Sequence, residues 1–230
     1  MHVSMLVRRR VALLAVLAAA AACSDAPTTT PRQAERAPFD IASLQPADSR
    51  WGTPNGNSAF SDSGGNENVA TFTVNPNFPW TYTFGQHWIY FPAHSICDPA
   101  TSGYGPTLWD TPCTPLAKPI QVTVHWSTKG GLAYASFSPE LRFVPAGDND
   151  FAHWVILSLH DRQRLNQSDV YTVLYDAAGS EGWVDESLTD PTLHAWLDIF
   201  HNSVVRRVKH FSGYLLNGNW GMGGMDDASY

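Results

Sequence analysis

Nine histidines and three cysteines are the side chains here best suited to metal or nucleophilic chemistry. Three of the histidines directly precede a tryptophan, at His87-Trp88, His125-Trp126 and His153-Trp154. Neighbours on a strand point to opposite faces, so a Trp in the core leaves its His in water. The three are therefore expected to be solvated, on separate strands, with no shared metal. Cys97 and Cys113 form an even pair. In an oxidising compartment they would close a disulfide around the Pro/Gly-rich stretch 98–112. Closing a loop of about 15 residues stabilises a fold by about 3 kcal/mol in the chain-entropy picture. The alternative, a metal site, needs two more ligands, and His94 is the one nearby imidazole. Asp148-Asn149-Asp150 lacks the ligand series of a calcium loop and is expected to be a turn. The chain contains no His-Glu-x-x-His, Cys-x-x-Cys, Walker loop or Gly-x-Ser-x-Gly. No catalytic residue, metal ligand or cofactor is assigned, and an enzyme is not expected.

Binding remains. Nine tryptophans raise the idea of stacking on sugar rings. Alternation assigns Trp80 and Trp126 to the core, which leaves Trp51, Trp109, Trp183 and Trp220 as platforms for a glycan. The balance of charge excludes nucleic acid. Lys+Arg is 14 and Asp+Glu is 21. Loss of Arg8, Arg9 and Arg10 with a leader leaves 11 against 21, or −10. Phosphate recognition needs a basic stripe. The one cluster, Arg206, Arg207 and Lys209, is expected on a solvated strand or helix face. Charge of 15% with 43% hydrophobic residues also excludes a long disordered polyelectrolyte.

These residues must be delivered and positioned. Arg8–Arg10 precede twelve unbroken apolar residues, Val11 to Ala22, and then Cys23. Twelve residues of helix reach about 18 Å, short of a hydrocarbon core of about 30 Å, so residues 1–22 are expected to be an export signal. Ala20-Ala21-Ala22-Cys23 resembles the bacterial lipobox, with Ala20 where that motif usually has Leu. The resemblance implies diacylglyceryl transfer to the Cys23 thiol, cleavage before it and acylation of the new amino group. An ordinary Ala-x-Ala cut at the same bond is the alternative. The three acyl chains that the resemblance implies would anchor a protein stably. Ser24, after the Cys, implies sorting to the outer membrane of a bacterial envelope.

Residues 23–67 have the composition of a flexible tether, rich in Pro, Thr, Gly, Asn and Ser, with the part around Phe39–Leu44 able to dock on the domain. Ser61-Asp62-Ser63-Gly64-Gly65 is similar to the nucleophile loop of trypsin-like proteases. Those enzymes place His and Asp before that Ser, whereas here the one earlier His is His2, so a turn is expected. From Val69 the period is two. Trp80–Phe84 and Ile120–Trp126 alternate cleanly, and further strands are expected at Val69–Val74, Gln86–Phe91, Leu132–Phe137, His153–Leu159 and Val170–Tyr175. Pro and Gly punctuate them. This pattern predicts an all-β, antiparallel β-sandwich over 68–217, followed by a Gly-rich tail at 218–230. Residues 193–215 fit a helical stripe, but His201-Asn202-Ser203 between two β-rich runs favours a hairpin.

Trp88-Ile-Tyr-Phe-Pro-Ala-His-Ser-Ile96 resembles the "Ile-Pro-x-Gly-Ala" element of the ZU-five domain, the β-sandwich of ankyrins and netrin receptors. Tyr104-Gly-Pro106 with Lys118-Pro-Ile-Gln-Val-Thr-Val124 is similar to its "Gly-Pro … Pro-Val-x-Val" strand. Val208-Lys-His-Phe-Ser-Gly-Tyr214 resembles the last strand of bacterial relatives. The family's Gly-Ala is His94-Ser95 here, and the Cys97–Cys113 segment is extra to it. The resemblance implies a non-catalytic interaction module; with the lipid anchor and the tryptophans, the expected partner is an envelope protein, or alternatively a glycan. It transfers no binding residue.

Overall fold

The computed structural model describes residues 67–218, apart from 130–131, 162–164, 166–169 and 178–181. The leader, Cys23, Trp51, the Ser61–Gly65 turn and Trp220 lie outside the described residues. The described chain forms eleven strands: β1 (Asn68–Val74), β2 (Trp80–Phe84), β3 (His87–Phe91), β4 (Ile120–Lys129), β5 (Leu132–Ser138), β6 (Val155–His160), β7 (Tyr171–Ala177), β8 (Gly182–Val184), β9 (Trp196–Asp198), β10 (Ser203–Val208) and β11 (Gly213–Gly218). They build two packed sheets, in the orders β1-β4-β5-β11-β7-β8 and β2-β3-β6-β10-β9. Every strand pair is antiparallel. Among the described residues no helix is long and apolar enough to cross a membrane.

Alternation explains the sandwich. Phe72 and Val74 of β1, Tyr82 and Phe84 of β2, Val122, Val124 and Trp126 of β4, and Phe137 of β5 all turn into the space between the sheets. Phe211, fully buried, stacks on Phe137 at 4.6 Å and meets Phe91 and Phe143 edge-on. Burial of each such ring contributes about 1.5–3 kcal/mol, and the offset pairs add to that.

Residues 196–218 are three short strands, so the hairpin expected there is present and the helical stripe is not. The Val content and the turn at His201-Asn202 decide it. Asn202 takes the left-handed conformation (φ 50) that Asn tolerates.

The sandwich is asymmetric end to end. The registers within each sheet, with the β2–β3 turn packed on Trp126 of β4, put the start of β1, the β2–β3 and β9–β10 turns, the ends of β4, β6 and β11 and the start of β7 at one end. The segments 92–119, 139–154, 185–195 and 209–212 gather at the other.

Candidate functional site

The loop end carries two polar clusters, one inside the sandwich and one on its surface. Both grow from consecutive residues of β10. Val204, Arg206 and Val208 point between the sheets, while Val205 and Arg207 point outward.

Inside, Arg206 is 1% exposed. Its Nη2 donates to Glu186 Oε2 at 2.5 Å, and its Nη1 donates to the carbonyl of Val173. The other Glu186 oxygen lies 3.1 Å from His210 Nε2. His210 is fully buried, with the indole of Trp109 stacked on it at 3.7 Å and Tyr175 edge-on. The Tyr104 hydroxyl donates to the Phe211 carbonyl and lies 3.4 Å from His210 Nδ1. Tyr214 donates to the His210 carbonyl. Burial, with Glu140, Glu186 and Tyr175 nearby, raises the Tyr104 hydroxyl above the usual phenol range. Tyr104 is thus a fixed donor and not a base.

Local sequence sets these positions. Asp185 caps the short 3-10 turn Glu186–Leu188 by accepting from the Ser187 amide at 2.9 Å, which turns Glu186 inward. Burial pushes the Asp185 carboxyl up, but hydrogen bonds from Ser187 and Thr172 and the nearby Arg206 bring it below its ordinary value. The cover comes from the segment between the cysteines. The Cys97 and Cys113 sulfurs are 1.97 Å apart, with Cα atoms 5.7 Å apart, within the bridging range. Arg142 Nη1 donates to the carbonyls of Leu108 and Thr111, both at 2.7 Å, and so fixes the turn that carries Trp109.

On the surface, a shallow depression with room for about one water is lined by Trp109, Asp110, Pro145, His153, Trp154, Arg207 and Lys209, among others. The Arg207 guanidinium lies 4.6 Å from the centre of the Trp154 ring. It donates to Thr192 Oγ1 and to the Ala146 carbonyl, each at 2.9 Å. Lys209 donates to Asp110 at 2.6 Å and pairs with Asp190. Burial pulls the Arg207 pKa down, and Asp190, Asp110, Asp148 and Asp150 oppose that.

Several expectations are corrected. Arg206 and Arg207 are buried, not solvated, because β10 is covered on both faces and each guanidinium has acceptors or an aromatic face waiting. His87 is buried beside Phe84, and Trp88 lies on the opposite, outer face. The reason is that this outer face is itself packed, by Trp154, Trp196, Ile156 and Val205, so a Trp there is still shielded. His153 is exposed beside Asp150 at 2.6 Å, but it closes the 3-10 turn Phe151–His153 and β6 starts only at Val155, so it is not on the strand expected at His153–Leu159; His125, on β4, is half-buried beside Glu67 at 3.2 Å. Trp109 is no platform for a sugar, because it is buried and engaged in packing around His210. Trp183 lies on β8, edge-on to Tyr134 at 5.9 Å. Titratable groups do converge, on the Glu186 carboxylate, though within the closed interior.

Glu186, Tyr104 and His210 were missed because they sit in separate segments and match no spacing motif. The available signal was Ser203-Val-Val-Arg-Arg-Val208, two charges inside a Val run without alternation. Among the described residues no three of His, Cys, Asp and Glu are grouped to hold a metal ion. Comparison of the chain with protein-family models, curated proteins and solved structures finds no significant match in any of the three.

Proposed function

We propose that the chain is an outer-membrane lipoprotein, acylated at Cys23, that presents a ZU-five-like β-sandwich as a structural or protein-interaction module. The observation that carries this reading is the polarity of the sandwich. The chain from Cys23 reaches the domain at Asn68, at one end, and the long segments lie at the other. A tether at one end and loops at the other is the layout of a presented binding surface, since loops on a rigid scaffold are where recognition resides. The loop end offers a shallow depression of mixed charge, with Asp110, His153, Arg207 and Lys209 on its lining, beside the exposed Leu188. The best acid–base constellation, Glu186 with His210 and Arg206, is enclosed and committed to structural partners, which supports binding over catalysis.

The test uses the full chain in a Gram-negative host. Wild type should incorporate labelled palmitate and sediment with the envelope, and Cys23→Ser should lose both. A photo-cross-linking residue in place of Leu188, exposed at the loop end, should yield a discrete protein adduct in the envelope. An unlabelled, soluble wild type removes the anchor. Loop-end probes that give no protein adduct remove the module.

A further inference from the structure

The end of the sandwich at which the chain arrives from Cys23 carries an apolar tip. In the β9–β10 turn, Phe200 is 91% exposed, with the partly exposed Ile199 beside it, and Val170 is exposed at the start of β7. The tip is stiff. The Asp161 amide donates to the Asn202 carbonyl at 2.9 Å, and Asn202 Nδ2 returns a bond to the Asp161 carbonyl at 2.5 Å. The Leu165 amide donates to Asn202 Oδ1 at 2.8 Å. The His201 amide donates to Asp198 at 3.2 Å, and the His201 ring lies 2.7 Å from the other Asp198 oxygen. A phenyl ring held out on so fixed a turn is preorganised for an apolar partner, because little further ordering is needed to bury it.

Four considerations select that partner. The registers within each sheet, linked by the β2–β3 turn at Gly85 against Trp126 of the facing sheet, put the tip, the start of β1 and the end of β11 at the same end. On the tether reading proposed above, a flexible chain of the length from Cys23 to Asn68 has a root-mean-square span of roughly 35–40 Å, which makes this end the one nearest the lipid on average. Tethering also raises the local concentration of a second, weak contact to about the millimolar range, so a few apolar side chains suffice. Phe and Ile are side chains that settle at the boundary of headgroups and acyl chains.

We infer that Ile199 and Phe200 rest in the interfacial layer of the membrane that holds Cys23, which sets the sandwich upright with its loop end outward. This rests on the anchor proposed above. The tip adds a second contact and so an orientation, where a tether alone leaves the domain free to tumble.

The test uses the lipidated full chain in vesicles of phosphatidylethanolamine and phosphatidylglycerol that contain nitroxide-labelled lipid. Cys23 is acylated and Cys97 and Cys113 are joined, so a single added cysteine takes an environment-sensitive fluorophore. Val170→Cys reports the tip end, and Leu188→Cys, also exposed, reports the loop end. The Val170 reporter should be quenched about threefold more than the Leu188 reporter. Ile199→Ser with Phe200→Ser should abolish that difference, and a thermal melt shows that this exposed pair leaves folding intact. Equal quenching in a chain that floats with the vesicles overturns the tip and leaves the anchor standing. Quenching at Val170 that ignores the serine pair also overturns it. A chain that does not float overturns the anchor, and the tip with it.

Discussion

Arg206 and Arg207 are consecutive, identical and almost wholly buried, yet their roles differ with the face each takes. Arg207 lies against an indole and satisfies two neutral acceptors near the surface. Arg206 sits between the sheets and depends on Glu186 as a counter-charge. Removing one partner of a buried ion pair leaves the other charge uncompensated, which costs about 3–5 kcal/mol, whereas replacing both by apolar groups is often neutral. Glu186→Gln should therefore lower stability by about 3 kcal/mol in urea unfolding. The double variant Glu186→Leu, Arg206→Met should recover most of that loss. A Glu186→Gln loss below about 1 kcal/mol would mean that water reaches Arg206 and that the interior cluster is not closed.

Among the elements, the β2–β3 hairpin depends on a single glycine. Gly85 takes φ 61 in its two-residue turn, and a Cβ there would lie 2.7 Å from Nε1 of Trp126 on the facing sheet. Glycine thus meets two demands at once: a left-handed backbone, and a close approach between the turn and an indole in the core. Gly85→Ala should destabilise by about 2 kcal/mol, more than the left-handed conformation alone would cost. Pairing it with Trp126→Phe, which removes the indole nitrogen, should relieve part of the loss. A purely additive double-mutant cycle in thermal unfolding would show that the two positions do not meet.

At the scale of the whole molecule, stability should fall in acid through His87. Burial, with His160 nearby, brings its pKa down to about 3, and its Nδ1 accepts the His160 amide at 3.0 Å, a bond that only the neutral ring can accept. An unfolded chain protonates the same ring near pH 6.5. Between those values the unfolded state binds more protons, so stability rises with pH across the window and is lost as pH falls from about 6.5 toward 3. The slope should approach about 1.4 kcal/mol per pH unit. His87→Gln should flatten it in urea titrations at pH 4, 5 and 6. An unchanged slope would assign the acid sensitivity elsewhere. Asp185 and Asp190, also held below their ordinary values, extend the loss below about pH 4.

Period-two alternation, Pro and Gly punctuation and an even cysteine pair were enough to determine an all-β antiparallel sandwich, most of its strands and the Cys97–Cys113 pairing. These are local signals: a strand announces its faces every second residue, and two thiols in one segment have few other partners. β8 went unforeseen because Gly182–Val184 is too short to show a period. What only the tertiary structure decided is where the polar groups go. Alternation says which residues share a face but not whether that face is wet. The outer face of the β2-β3-β6-β10-β9 sheet is packed, so Trp88 lies outward and His87 inward. The same burial turned a basic run into two separate devices on β10. Glu186 and His210 meet 24 residues apart, through a capped turn and a strand end. That meeting follows from chain topology and long-range packing, for which local spacing carries no information.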